Sequence, residues 1–217
     1  MDMEQARFNM VEQQIRPWEV LNEKVLEMLF KVRRENFLPE AYRKLAFVDM
    51  QIPLGFGEVM LEPKLEARII QEVALKDSDR VLEVGTGSGY MTALLAQFAA
   101  HVYSVEIVPE LHEGAKAKLE SRDIDNVTLE LGDAARGWDR HGPYDVIVLT
   151  GSTPVLPDAF QRSLKLGGRL FAIVGEAPAM RAERVTRVAE DAFHREDLFE
   201  TCVPSLRNAP VPSRFKF

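Results

Sequence analysis

The chain has 217 residues, with 27 basic and 34 acidic side chains and a formal net charge of −7. Hydrophobic residues make up 46% of it, which is enough for a folded core and excludes a disordered chain. The acidic balance disfavours nucleic-acid phosphates as partners, the single cysteine excludes a disulfide framework, and the scattered histidines predict no metal site. No apolar run is long enough to span a bilayer, and no leader-like apolar stretch begins the chain. We therefore expect a soluble, cytoplasmic protein without a membrane partner.

The first third of the chain, residues 1–79, is predicted to form an extension of helices and loops. Apolar residues recur at helical spacing on both sides of Pro17. Proline and glycine residues make 45–62 resemble an irregular loop. Pro63 then suits the first turn of a helix that extends to about Ala74.

From residue 80 onward, short apolar runs alternate with helical segments, a pattern typical of a parallel sheet covered on both faces. Five runs are predicted as parallel strands: 80–84, 102–106, 127–131, 144–150 and 169–174. Three helices fit between them: 90–98, 109–121 and 157–164. Two closing strands, 183–190 and 196–203, are predicted as a hairpin that buries Cys202.

These elements predict one α/β domain over residues 1–217. Its centre is a doubly wound, mostly parallel, Rossmann-like sheet over 80–204, which would bind a cofactor. The helical extension 1–79 precedes this sheet, and a tail of residues 205–217, with Arg214 and Lys216 near its end, follows it.

A glycine-rich loop joins the first predicted strand to the next helix, and its residues are Gly85, Thr86, Gly87, Ser88 and Gly89. Glycine allows a sharp turn and a close approach of a ligand to the backbone. The G-x-G-x-G spacing differs from that of dinucleotide enzymes, and Glu83 just before the loop would repel a pyrophosphate. A ligand with a cationic amino-acid group, such as S-adenosylmethionine, would tolerate Glu83. A tight turn without a ligand and a nicotinamide cofactor remain as alternatives.

Acidic residues also lie at the ends of the next two predicted strands. Glu106 lies about 20 residues after Gly85, the offset at which an acid reaches ribose hydroxyls. Asp133 could accept a hydrogen bond from an adenine amine, although either acid alone could be an ordinary strand-end charge. Together they predict an S-adenosylmethionine site that consists of Glu83, Gly85, Thr86, Gly87, Ser88, Glu106, Ile107, Gly132, Asp133 and Ala134.

These motifs resemble those of class I S-adenosylmethionine-dependent methyltransferases, and nearly the whole chain is similar to the protein-L-isoaspartate O-methyltransferase family. The similar segments are ENFLP at 35–39, AFVD at 46–49, IPLG at 52–55, EVGTGSGY at 83–90 and CVPSL at 202–206. The resemblance implies methyl transfer to the abnormal α-carboxylate of isoaspartyl residues in damaged proteins, after which the ester collapses to a succinimide. Because that carboxylate is already ionised at neutral pH, alignment of the reactants would suffice without a general base.

The chain departs from this family on the methyl-acceptor side. The family has Ser-x-Pro where this sequence has Leu61-Glu62-Pro63, and the resemblance places that Ser near the substrate carboxylate. Loss of its hydrogen bond would remove roughly 1.5–3 kcal/mol of stabilisation, so we assign no catalytic residue. Candidates for the acceptor side are Met60, Leu61, Pro63, Thr150 and Gly151. A different protein or small-molecule acceptor, or a cofactor-binding protein without isoaspartyl activity, are the alternatives.

Overall fold

The computed structural model describes residues 2–212, within which it has six α-helices and nine β-strands. The α-helices are α1 Met3–Met10, α2 Glu23–Lys31, α3 Pro63–Val73, α4 Tyr90–Ala96, α5 Pro109–Glu120 and α6 Asp158–Arg162. The strands are β1 Ile52–Gly55, β2 Glu58–Met60, β3 Arg80–Val84, β4 His101–Glu106, β5 Val127–Leu131, β6 Tyr144–Thr153, β7 Leu164–Glu176, β8 Ala179–Ala189 and β9 Ala192–Thr201. Residues 213–217 of the predicted tail, including Arg214 and Lys216, lie outside the described residues.

Seven strands form one sheet in the order β5-β4-β3-β6-β7-β8-β9. The pairs among β3 to β7 are parallel, and β8 is antiparallel to both β7 and β9. The chain builds outward from β3 to β5, then returns to the other side of β3 with β6. Open α/β sheets bind ligands where the strand order reverses in this way, at the carboxyl ends of the strands. The predicted doubly wound, mostly parallel sheet and its closing hairpin are confirmed.

The apolar strands are explained by burial on both faces of the sheet. In β3, Val81 packs into the cluster that includes residues of α3 and α4, whereas Leu82 and Val84 belong to a cluster on the opposite face. Phe160 of α6 lies in that second cluster. Because successive side chains of a strand alternate between faces, a strand covered on both sides needs apolar residues throughout.

The N-terminal helices share a core with the sheet. Apolar residues of α2 and α3, among them Leu29 and Ile70, lie in the same buried cluster as Val146 of β6. Asn22 caps α2, because its side chain accepts hydrogen bonds from backbone N–H groups in the first turn. Pro63 occupies the first turn of α3, where its missing N–H is not needed. None of the helices within residues 2–212 combines the length and apolar character that crossing a bilayer requires.

Two local predictions are wrong. Residues 45–62 include the hairpin of β1 and β2, in which buried Ile52 pairs with buried Met60. Its strands are too short to show an alternating pattern, and its turn relies on a positive φ at Gly55, Phe56 and Gly57. Cys202 is exposed rather than buried, because β9 ends at Thr201 and the chain leaves the sheet there.

Candidate active site

A cleft runs along the carboxyl ends of β3, β4, β5 and β6. The β1–β2 hairpin, the start of α3 and the chain after β9 form its remaining walls. Most of the predicted site residues line it, namely Met60, Leu61, Gly85, Thr86, Gly87, Ser88, Glu106, Ile107, Gly132, Asp133, Ala134, Thr150 and Gly151. Glu83 and Pro63 are not among the lining residues.

The glycine loop takes a path that needs glycine. Gly85 has a φ of +98°, and a β-carbon there would overlap the hydroxyl oxygen of Thr150. That hydroxyl donates hydrogen bonds to the carbonyls of Val84 and Gly85, at 2.9 and 2.7 Å. The N–H of Gly85 donates to the carbonyl of Val105 at 2.9 Å. These contacts tie the loop to the strands on both sides and leave its backbone close to any ligand in the cleft.

Glu106 ends β4 with its carboxylate turned back onto the backbone. Its Oε2 accepts a hydrogen bond from the N–H of Gly87 at 2.8 Å, and Oε1 accepts from Ile107 and Val108, both at 2.9 Å. Because a carboxylate has about four lone-pair sites, one remains after these three bonds. Glu106 therefore braces the glycine loop and can still accept a hydroxyl proton from a ligand.

Asp133 lies after β5, at the far end of the cleft. Its Oδ1 accepts a hydrogen bond from the N–H of Ala135 at 3.0 Å, and its Oδ2 accepts from the side-chain amide of Asn208 at 2.8 Å. The N–H of the preceding Gly132 donates to the carbonyl of Glu106 at 2.8 Å. The ends of β4 and β5 are thereby held in register, and Asp133 Oδ2 keeps a second lone pair for a ligand amine.

Glu83 lies beneath the loop rather than in the cleft. Its side chain is 0% exposed, and Oε2 accepts hydrogen bonds from Thr92 and Ser104, at 2.5 and 2.6 Å. The hydroxyl of Ser104 also bonds to that of Thr86 at 2.6 Å. Burial raises the pKa of Glu83 to about 8, against which the hydrogen bonds from Ser104 and Thr92 act. The predicted contact of Glu83 with a ligand is thus replaced by support of the loop from below.

The acceptor side of the cleft is built around Leu61. Its side chain is 5% exposed and lines the cleft, while its carbonyl accepts a hydrogen bond from Arg34 Nη2 at 2.6 Å. Arg34 is fully buried, and burial lowers its pKa to about 10, so it remains charged at neutral pH. Arg34 also forms an ion pair with Glu66, a further lining residue. The buried guanidinium of Arg34 therefore holds both Leu61 and Glu66 in place in this wall of the cleft.

The chain after β9 lines the cleft and contacts the hairpin. Backbone hydrogen bonds join Ser152 of β6 to Pro204 and Leu206, at 2.9 and 2.8 Å. Arg207 Nε then donates to Glu58 of β2 at 2.6 Å, and its guanidinium also bonds to the carbonyl of Phe56. Hairpin and tail together form one wall of the cleft.

Comparison with known proteins identifies the family. A sequence profile described as protein-L-isoaspartate(D-aspartate) O-methyltransferase matches residues 5–206. The chain belongs to the protein-L-isoaspartate O-methyltransferase family. A protein of that name from Protochlamydia amoebophila is 39% identical over 186 residues, which cover 85% of this chain and 88% of the relative. Protein-L-isoaspartate O-methyltransferase 1 of Anaeromyxobacter sp. is 41% identical over 181 residues, 83% of this chain and 84% of the relative.

The fold is shared with members of this family whose structures have been solved. A Plasmodium falciparum protein-L-isoaspartate O-methyltransferase, crystallised with S-adenosyl-L-homocysteine, aligns with a TM-score of 0.80 over 92% of this chain and 97% of its own. The two sequences are 20% identical, so this likeness concerns the fold.

Several lining residues of this family member were not predicted from the sequence: Glu58, Glu66, Met91, Leu111, Leu206 and Arg207. No feature of the sequence predicts that Glu66 lines the cleft, because an acidic residue on an amphipathic helix is usually exposed to solvent. The proximity of Arg207 to Glu58 depends on a contact between segments that are 149 residues apart in the chain. Within residues 2–212, no group of three or more His, Cys, Asp or Glu side chains is arranged to hold a metal ion.

Proposed function

We propose that this chain transfers a methyl group from S-adenosylmethionine to the free α-carboxylate of isoaspartyl residues in protein or peptide substrates. The observation that carries the proposal is the single cleft that unites the glycine loop, Glu106 and Asp133 with the wall at Leu61. Membership of the protein-L-isoaspartate O-methyltransferase family supports the same substrate class.

The donor set of the cleft fits S-adenosylmethionine. Glu106 suits the ribose hydroxyls and Asp133 the adenine amine, because each keeps a lone pair after its protein hydrogen bonds. The backbone of the glycine loop accommodates a ligand without a pyrophosphate. When bound, S-adenosylmethionine supplies a methyl group on a positively charged sulfur atom. The carboxylates that line the cleft favour such a cation.

The residues of the acceptor side position the reactants and exclude water. Leu61 and Met91 are apolar and buried, and they line the cleft with the glycine loop. An isoaspartyl carboxylate is ionised at neutral pH, so the chain needs no base to activate it. Orientation of the carboxylate and removal of water supply the rate enhancement.

An esterification assay tests this function directly. The chain is incubated with methyl-labelled S-adenosylmethionine and either an isoaspartyl peptide or the same peptide with a normal aspartyl residue. We expect base-labile methyl ester on the isoaspartyl peptide alone. The Asp133→Ala variant should require at least about tenfold more S-adenosylmethionine for half-maximal rate, since a hydrogen bond to a charged group is lost. Calorimetric binding of S-adenosyl-L-homocysteine without ester on either peptide would contradict the isoaspartyl acceptor.

The acceptor wall gives a second prediction. Leu61→Ser should raise kcat/KM for the isoaspartyl peptide by roughly 10- to 100-fold, because a hydroxyl there can donate to the substrate carboxylate. Leu61→Ala is the matched control, since it shortens the side chain without adding a donor and should give no gain. The backbone carbonyl of residue 61 can keep its bond to Arg34 in both variants. Equal activity of the Ser and Ala variants would show that a hydroxyl at this position does not help the carboxylate acceptor.

A further inference from the structure

Glu66 is an acid of the cleft to which the sequence motifs assign no role. It lies in α3, is 2% exposed, and lines the cleft together with Leu61 and Met91. A charged side chain this deeply buried is almost always paired. The two oxygens of the Glu66 carboxylate differ in this respect.

Arg34 holds one side of that carboxylate. Oε2 of Glu66 is paired with Arg34, whose other nitrogens donate to the carbonyls of Ala46 and Leu61, at 2.9 and 2.6 Å. Each nitrogen of the Arg34 guanidinium thus makes a hydrogen bond, and the carboxylate is fixed in orientation. Among residues 2–212 no donor forms a hydrogen bond with Glu66 Oε1. One oxygen of a fixed, buried carboxylate is therefore available to a ligand.

Arg34 also locates Glu66 relative to the rest of the cleft. The guanidinium carbon lies 5.2 Å from the ring centroid of Tyr90, the residue that begins α4 directly after the glycine loop. Glu106 ends β4 and Asp133 follows β5, and both strands lie beyond β3 toward one edge of the sheet. Glu66 therefore lies on the side of the cleft where the loop enters α4, and Asp133 lies on the other side, beyond Glu106, which bonds to Gly87 of the loop.

We propose that Glu66 Oε1 binds the α-ammonium group in the methionine portion of S-adenosylmethionine. The assignment rests on the proposed function. With Asp133 at the adenine amine and Glu106 at the ribose, two acids of the cleft remain for the cationic group of the ligand, Glu58 and Glu66. Glu58 is 28% exposed and paired with Arg207, whereas Glu66 is buried among the lining residues, so the ammonium falls at Glu66. Hydrogen bonds between an ammonium and a carboxylate are among the strong ones in proteins, and burial strengthens them further.

Two ligands distinguish a direct contact between Glu66 and the ammonium group from a general disturbance of the cleft. S-Adenosyl-L-homocysteine carries the amino-acid group, whereas 5′-methylthioadenosine has the same nucleoside and sulfur without it. In calorimetric titrations of the full chain, Glu66→Gln should weaken binding of S-adenosyl-L-homocysteine by roughly 10- to 100-fold. Affinity for 5′-methylthioadenosine should stay at the wild-type value.

Two further variants control for an effect of Glu66→Gln on folding. Glu66→Gln leaves Arg34 without its charged partner, so the double variant Arg34→Met/Glu66→Met replaces the whole pair by apolar side chains, a change that buried ion pairs often tolerate. The double variant should bind 5′-methylthioadenosine with wild-type affinity and should bind S-adenosyl-L-homocysteine more weakly by the same factor as Glu66→Gln, roughly 10- to 100-fold. Glu72→Gln is the matched control: Glu72 is also in α3 and paired with an arginine, Arg68, but does not line the cleft. Its affinities for both ligands should equal those of the wild type.

Two results would overturn the assignment. The first is wild-type affinity of Glu66→Gln for S-adenosyl-L-homocysteine; if the KM for the isoaspartyl peptide is raised at the same time, Glu66 acts on the acceptor side instead. The second is an equal loss of affinity for both ligands. A wild-type chain that binds neither ligand would instead overturn the proposed function, so the two failures are distinguishable.

Discussion

Gly85→Ala should destabilise the chain by about 3 kcal/mol and weaken cofactor binding at least about tenfold. Gly85 has a φ of +98°, which strains any residue with a β-carbon. The new β-carbon would also overlap the hydroxyl oxygen of Thr150, which donates to the carbonyls of Val84 and Gly85. The substitution therefore disturbs β3 and β6 at the point where the strand order reverses. At about 2–4 °C per kcal/mol for a domain of this size, we expect the melting temperature to fall by roughly 6–12 °C.

Two variants test the reason for this effect. Gly114→Ala changes a glycine within α5 around which an added β-carbon meets nothing within 4 Å, so it should stabilise the chain by about 0.5–1 kcal/mol. Gly85→Ala/Thr150→Ala removes the overlapping hydroxyl, and the next neighbour of the new carbon, Leu206, lies at an ordinary 3.7 Å. The double variant should recover part of the melting temperature lost by the single one. No recovery would show that contact with Thr150 is not the cause.

The sheet was predictable because its strands leave a local signal. A parallel strand buried on both faces needs a continuous apolar run, and the run at 80–84 coincides with β3. The β1–β2 hairpin was not predictable, because three- and four-residue strands are too short to show a period. The exposure of Cys202 depends on where β9 ends, and strand ends are the least certain part of a pattern.

The residues of the site also fall into two groups, those that could be predicted from the sequence and those that could not. Gly85, Glu106 and Asp133 lie at the carboxyl ends of successive strands, so the topology alone brings them to one edge of the sheet. Glu66 and Arg207 reach the cleft through contacts with Arg34 and Glu58, which are distant in sequence. A periodic pattern in the sequence cannot predict such pairs, because it indicates local structure only. Segments that meet in the folded chain have no characteristic spacing in the sequence.

The direction in which the Glu83 side chain points could also not be predicted from the sequence. A residue before a glycine loop can face the ligand or the opposite side, depending on the register of the strand. Glu83 is fully buried and bonds to Thr92 and Ser104, and its Oε1 has no hydrogen-bond partner among residues 2–212.

Glu83→Gln should stabilise the chain at pH 8 and leave its stability unchanged at pH 5. Burial raises the pKa of Glu83 to about 8 in the folded chain, above the ordinary 4.5. Between these values the folded state holds a proton that the unfolded state has released, so raising the pH favours unfolding. The contribution of Glu83 to stability should thus fall between about pH 5 and pH 8, by on the order of 2–4 kcal/mol, and be constant above that. Glutamine mimics the protonated acid, because its carbonyl can accept from the same two hydroxyls.

Urea unfolding of both proteins across pH 5 to 8 measures the effect, and the difference between the two curves isolates Glu83. Glu130→Gln provides a control of opposite sign. Burial tends to raise the pKa of Glu130, but hydrogen bonds from Trp138 and Arg140 and the close approach of His141 outweigh it and lower that pKa. The stability that the ionised Glu130 provides is present above its unfolded pKa of 4.5 and lost as the pH falls below that value, so Glu130→Gln should destabilise the chain by a constant amount from pH 5 to 8 and by less in a series extended to about pH 3. Parallel curves for the wild type and Glu83→Gln would mean that Glu83 is ionised in the folded chain throughout this range, and that its buried carboxylate is stabilised by more than the hydroxyls of Thr92 and Ser104.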